Sequence, residues 1–263
     1  MVGRRLFYNN SVYDGPLPRP GDPGADDRAI APDKRGLLPG EAAGPANVSG
    51  YVRGINGVMI DFAGPVAPNL GRDDFEFRAG AAGDPSGWAP APPPSSVVVR
   101  PAAAAGQPTR VVLTWSDWVI TNRWLRVTVK ANERTRLAGP DVSFFGHLAG
   151  ETGDAAASGG GAAPGAIGFR VSAIDLAAVK RALGRPATVG SPTDVNRDGR
   201  TDAVDLALVR RGLNQGLAIP AAPSGPLAPA PALALALAPA YPLFSDEPLP
   251  RARRATEDLR LPG

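Results

Sequence analysis

The chain has 263 residues, no cysteine, a single histidine and a formal net charge of +3, which excludes disulfides and cysteine-based metal sites. The pI is high, but no dense Lys/Arg block interleaves with aromatics, so a nucleic-acid surface is unsupported. Gly and Pro number 32 and 30, a share that predicts long loops and linkers around modest cores.

In chain order, residues 1–46 read as a loop-rich N-terminal segment. Met1 to Asn10 carries basic residues without the apolar stretch of a signal peptide, so the chain is expected to be a fragment or to start elsewhere. Pro, Gly and Asp crowd residues 14–48, with one short helix expected near Asp26 to Leu38.

Residues 47–148 read as a β-domain. Asn122 to Lys130 alternates strictly, with Leu125, Val127 and Val129 on one face and Trp124, Arg126, Thr128 and Lys130 on the other, the period of a half-buried strand. The same alternation appears in Val58-Ile60-Phe62, Phe75-Phe77 and Val111-Leu113-Trp115, and Ser96 to Arg100 and Asp141 to Phe145 are further strands. Short strands between Gly/Pro/Asp/Asn turns predict an antiparallel β-sandwich. No catalytic constellation is recognisable. His147, the only histidine, has no nucleophile motif beside it and reads as a surface or strand-end residue. Asp61, Asp74, Glu76 and Asp117 show no demonstrable pairing of the kind glycoside hydrolysis needs. Trp88, Trp115, Trp118 and Trp124 offer a sugar-stacking platform, although Trp115 shares a face with Val111 and Leu113 and is explained more simply by core packing.

After a Gly/Ala-rich linker at residues 149–164, the most specific signal lies in residues 165–216. Asp194-Val-Asn-Arg-Asp-Gly-Arg-Thr-Asp-Ala-Val-Asp205 places oxygen donors at positions 1, 3, 5, 9 and 12 of a twelve-residue run, with Gly199 at 6. This is the ligand arithmetic of an EF-hand-like calcium loop, since Ca2+ takes about 6–8 oxygens at about 2.3–2.6 Å. Asp194, Asn196 and Asp198 supply side-chain oxygens, Arg200 its carbonyl, Asp202 a water-mediated contact, and Asp205 closes the site. An acidic helix cap would also use Asp here, but has no reason to keep this spacing. The following Leu206 to Leu213 is amphipathic, and Val171 to Gly184 repeats it thirty residues upstream: Asp175 matches Asp205, Leu176 matches Leu206, Val179 matches Val209, and Lys180-Arg181 matches Arg210-Arg211. In that first repeat, loop positions 1, 3 and 5 are Pro164, Ala166 and Gly168, which offer no side-chain ligand, so one ion is expected and the first loop is either empty or closed by packing. Glu151 and Asp154 stand before the insertion as candidates to be lent to it. Thr201, at position 8, is expected to pair with Val171.

A duplicated loop-helix unit with Asp at position 12 and a Lys/Arg pair late in each helix resembles the type I dockerin family over roughly Gly165 to Gly216. The resemblance implies a calcium-dependent module that binds a cohesin-like protein partner, in an extracellular or cell-surface assembly often devoted to polysaccharide breakdown. Positions 10 and 11, often a small hydroxyl pair in the family, are Ala203-Val204 and Ala173-Ile174 here, which leaves the partner's identity open. Leu113 to Gly153 is similar to the C-terminal parts of large secreted bacterial proteins in which a β-domain precedes such a repeat; this implies an arrangement and no chemistry.

Residues 217–263 form a Pro/Ala/Leu-rich low-complexity tail. Its apolar run around Leu233, Leu235 and Leu237 is too short between prolines to cross a bilayer needing about 20 residues. The whole reads as a multidomain chain, a β-sandwich followed by a small all-α dockerin-like pair. Its expected function is non-catalytic attachment to a protein partner, or alternatively the carbohydrate-binding or anchoring accessory of a glycoside hydrolase system.

Overall fold

The alternating segments become strands in the computed structural model, which describes residues 1–14, 24–153 and 165–221. In chain order these are β1 (Gly3–Phe7), β2 (Ile30–Arg35), β3 (Val48–Ser49), β4 (Gly57–Phe62), β5 (Phe75–Gly80), β6 (Ala89–Pro90), β7 (Ser96–Arg100), β8 (Thr109–Thr114), β9 (Trp124–Val129) and β10 (Asp141–His147). One helical turn, α1 (Ala25–Arg28), precedes β2. Among the described residues they form two five-stranded sheets, ordered β2-β1-β4-β8-β7 and β3-β10-β9-β5-β6. The sequence pattern suggested purely antiparallel pairing, yet β3 lies parallel to β10, with Val48 opposite Gly146. The chain leaves β3 for β4 in the other sheet, so no hairpin joins β3 to β10 and none imposes the antiparallel sense.

The two sheets share one apolar cluster. Leu6, Val58, Ile60, Val111 and Leu113 meet Phe75, Phe77, Leu125, Val127, Val129 and Phe145, the alternate residues of each strand turned inward. β4 lies between β1 and β8 and is buried along its whole length, because Val58, Ile60 and Phe62 face the shared core while Met59 packs with Phe7, Ala29 and Val112 in a further apolar cluster. Residues 1–46 thus contribute β1 and β2 to this core. The helix expected near Asp26 to Leu38 stops at Arg28. Pro32 lacks the N–H a helix needs, and Ile30–Arg35 instead runs as an edge strand, where proline is tolerated.

The other face of β9 and β10 is covered too, which the alternation did not anticipate. Trp124 and Phe144 join Phe169, Val171, Val179, Val195, Val209 and Leu217 in a second apolar cluster. The C-terminal residues that cover this face form β11 (Ile167–Arg170), α2 (Ala173–Ala182), β12 (Arg185–Pro186), β13 (Arg200–Thr201), α3 (Ala203–Gly212) and β14 (Gly216–Ala218). The two helices appear as the repeat predicted, each burying its Val at the matching position, Val179 and Val209. The region is not purely helical, however. β11 pairs with β14 and β12 with β13, because Phe169 and Leu217 are buried on a shared apolar strip.

The seam with the second sheet is specific. The Trp124 ring meets Phe169 at 6.2 Å and 62°, and its indole N–H donates to the Ala218 carbonyl at 2.8 Å. Asn122 donates to Gln215 Oε1 at 2.6 Å. Gly212 allows α3 to approach the Ala149 carbonyl so closely that a Cβ would sit 2.7 Å from it. Asp154, Pro164 and the tail beyond residue 221 lie outside the described residues. Among the described residues no helix is long and apolar enough to cross a membrane.

Candidate cation-binding loop

Two residues with positive φ wind the loop from Asp194 to Asp205: Arg197 at 56° and Gly199 at 92°. Left-handed backbone is natural for glycine and costs an L-residue such as arginine. The turn brings backbone amides onto Asp194, whose Oδ1 accepts from the Asp198 N–H at 3.1 Å and whose Oδ2 accepts from the Gly199 N–H at 3.0 Å. Asn196 Nδ2 donates to Asp198 Oδ2 at 2.8 Å, so positions 3 and 5 stand side by side at the exposed rim. Asp205 folds back on the start of the loop. Its Oδ1 accepts from Val195 N–H at 2.8 Å and Asn196 N–H at 3.2 Å, and its Oδ2 from Asp202 N–H at 2.9 Å.

Asp202 has a second duty. Its carboxylate caps α3 by accepting from the Val204 N–H at 2.7 Å, satisfying one of the helix's orphan donors. Position 7 lies in β13, where Arg200 is opposite Pro186 and Thr201 opposite Arg185. The expected pairing of Thr201 with Val171 does not form. Val171 exchanges backbone hydrogen bonds with Asn214 and Gln215 instead, because β11 is engaged by β14.

Asp194 and Asp205 are both fully buried. Burial pushes each carboxyl above the usual carboxylate range against the amide hydrogen bonds that favour the charge, and for Asp205 the negative charge of Asp194 adds to the rise. Among the described residues, none of Asp194, Asp198, Asp202 or Asp205 forms an ion pair, and no three acidic or histidine side chains converge as a metal cluster. The donor set is all oxygen, which fits a hard divalent cation, and two buried carboxylates within each other's field fit a cation's charge. In the geometry present, their oxygens are engaged by the loop's own amides.

The first repeat keeps the helix start and loses the loop. Ser172 caps α2 by accepting from Ile174 N–H at 3.0 Å, and Asp175 Oδ2 accepts from Ser172 N–H at 2.8 Å, the counterpart of Asp202 and Asp205. Asp175 Oδ1 accepts from both the amide and the hydroxyl of Thr152, at 2.7 and 2.8 Å. Positions 3 to 6, Ala166 to Phe169, lead into and along strand β11, and Phe169 packs on Trp124. Glu151, a candidate donor to this loop, is buried and accepts from Gly153 N–H at 2.9 Å. The residue that reaches Asp175 is its neighbour Thr152, which no spacing rule singles out.

The remaining candidates are accounted for by packing and pairing. His147 ends β10, but it is fully buried and not on the surface. Its Nε2–H donates to the Tyr51 carbonyl at 2.6 Å and its Nδ1 accepts from Asn122 N–H at 2.9 Å, and burial lowers its pKa to about 4, leaving a neutral structural imidazole. Burial alone would raise Asp61, but Arg110 and Arg5 hold it below the usual range; the Gly71 amide together with Arg134 and Asn132 does the same for Asp74. Glu76 pairs with Arg78, and Asp117 with Arg53 and Asn56. Trp88, Trp115 and Trp124 are buried, so the four tryptophans do not form a common platform; Trp118 alone is 65% exposed.

Residues 169–214 match the family model described as the dockerin type I domain, which therefore lies C-terminal to the β-rich region. A dockerin is a non-catalytic, calcium-binding module of protein–protein interaction. The chain matches no curated protein and no solved structure.

Proposed function

We propose that, with a type I dockerin domain at residues 169–214, this chain is a non-catalytic attachment protein whose docking surface is held in shape by one calcium ion. Asp194, Asn196, Asp198, the Arg200 carbonyl and Asp205 hold the ion, and Asp202 acts through a water as loop position 9 does. Bound calcium supplies the positive charge that the buried carboxylates lack. The observation that carries the reading is that pair: Asp194 and Asp205 are wholly buried, pushed up by desolvation, and without an ion-pair partner among the described residues. The first repeat is read as metal-free, with Thr152 satisfying Asp175.

The partner is a cohesin-like protein outside the cell or at its surface. Ile174 and Val204 are 49% and 52% exposed at matching positions of α2 and α3, beside exposed Ala173 and Ala203, which supports a partner apolar opposite these positions. The two sheets of residues 47–148, with the strands from residues 1–46, form a β-sandwich that the dockerin attaches. Pairing of the candidate carboxylates with arginines supports the absence of catalysis in it. Calorimetric titration of the full chain with calcium and then magnesium is expected to show one calcium ion bound with a gain of helix by circular dichroism. No heat, or two ions, overturns the reading.

Trp118 favours a second reading, an accessory that binds polysaccharide. Its ring is exposed although its backbone sits at φ 64°, a costly conformation for a bulky residue, and its amide is pinned to the Arg53 carbonyl at 2.7 Å. A screen of plant and algal polysaccharides against the chain and its Trp118→Ala variant tests this: binding that the substitution removes supports it, and no binding removes it.

A further inference from the structure

The cation loop is met by residues from the far end of the chain. Tyr13 Oη donates to Asp194 Oδ2 at 2.9 Å. The Val12 amide donates to the Arg197 carbonyl at 3.1 Å. Arg197 in turn is buried, places its guanidinium 4.2 Å from the centre of the Tyr8 ring and donates from Nη2 to Tyr8 Oη at 2.9 Å. A cation over an aromatic face, desolvated as here, is a strong anchor. It holds the one non-glycine residue of the loop that must adopt positive φ.

Of these contacts, the one from Tyr13 reaches a ligand candidate directly. Asp194 occupies loop position 1, and its Oδ2 is fixed from two directions, by the Gly199 amide of its own turn and by the Tyr13 hydroxyl. A carboxylate oxygen only accepts, so the hydroxyl is the donor in this bond and Tyr13→Phe would remove it. Groups that orient a metal ligand from behind set its aim and basicity, and their removal weakens metal binding.

We infer that Tyr13 is a positioning residue for the cation loop, so that the site is completed by the segment from Tyr8 to Tyr13 and is not wholly contained in the repeat pair. The inference rests on the reading that the loop holds calcium. It also makes the N-terminal segment a determinant of calcium affinity, 181 positions away in sequence from the carboxylate it serves.

The test is calcium titration calorimetry on the full chain, on Tyr13→Phe, and on Tyr51→Phe as a control. Tyr51 is a buried tyrosine whose hydroxyl donates to the Asn9 carbonyl and touches no loop carboxylate. Tyr13→Phe keeps the ring and is expected to raise the calcium Kd about tenfold, while Tyr51→Phe keeps the affinity of the unaltered chain. Melting in chelator verifies that both variants fold. An unchanged Kd in Tyr13→Phe overturns the positioning role, as does an equal loss in both variants, which would mark a general effect of losing a buried hydroxyl. Absence of calcium heat from the unaltered chain overturns the calcium reading itself.

Discussion

In the first repeat, the buried carboxylate of Asp175 takes its hydrogen bonds from Ser172 and from Thr152, a residue before the Gly/Ala insertion. In the second, the buried carboxylate of Asp205 takes them from Asp202 and from Val195 and Asn196 inside its own loop. Both helices begin with the same reciprocal cap, Ser172 with Asp175 and Asp202 with Asp205. What diverges is the stretch ahead of the cap. At position 6 the second repeat has Gly199, which turns at φ 92° and lets oxygens gather; the first has Phe169, which lies in β11 and fills the seam against Trp124. One loop gathers oxygen-bearing side chains around a tight turn, and the other is part of a hydrophobic core.

The sharpest way to break this comparison is at position 6. Phe169 is buried to 1% exposure within the cluster that joins the second sheet to the helices, so Phe169→Ala is expected to cost about 3–5 kcal/mol. Gly199→Ala meets no obstacle nearer than Val12 Cγ1 at 3.5 Å; its cost comes from the backbone and is expected at about 1–2 kcal/mol. Urea unfolding followed by tryptophan fluorescence measures both. If the two substitutions cost the same, the division of labour between packing and turning is wrong.

Position 12 gives the next largest effect. Asp205→Ala strands the amides of Val195, Asn196 and Asp202, and Asp175→Ala strands the amides of Thr152 and Ser172 together with the Thr152 hydroxyl. Each is expected to lose about 2–4 kcal/mol, since buried donors left without partners cost about 1–3 kcal/mol apiece and part of this is relieved by water. Calcium separates them. If the second loop holds calcium as proposed, Asp205→Ala is expected to abolish the calcium-induced gain of helix, whereas Asp175→Ala is expected to destabilise the fold and leave the calcium heat in place.

How much of this was legible follows from the range of each interaction. Strands β4, β5, β8 and β9 could be read because alternation is local, β7 and β10 as short further candidates, and α2 and α3 because their apolar residues and late Lys/Arg pairs repeat. β1 and β2 could not, since β1 finds its central partner β4 more than fifty residues away and Pro32 obscures β2. The second buried face of β9, at Trp124, depends on Phe169 and Ala218 of another part of the chain. Ligand spacing within the loop was visible for the same local reason. Thr152 on Asp175 and Tyr13 on Asp194 were not, because contacts across 23 and 181 positions leave no periodicity.

Thr152 gives the finest discrimination between the repeats. It is 8% exposed and donates twice to one oxygen of Asp175, while its counterpart Val195 offers Asp205 only its amide. Thr152→Val keeps the amide and the shape and removes the hydroxyl, so Asp175 loses one of three bonds and no donor is stranded. The expected loss is about 1 kcal/mol, the net worth of a single hydrogen bond strengthened by the acceptor's charge and partly offset by the gain of an apolar methyl. Calcium affinity should not change, because among the described residues the hydrogen bonds that Thr152 donates run to Asp175 of the first repeat and not to the second loop. A fall in affinity alongside the loss of stability, measured by calorimetry on the same variant, would mean that the two repeats communicate through α2 and α3 and that the first is a silent part of the cation site instead of a packed remnant of one.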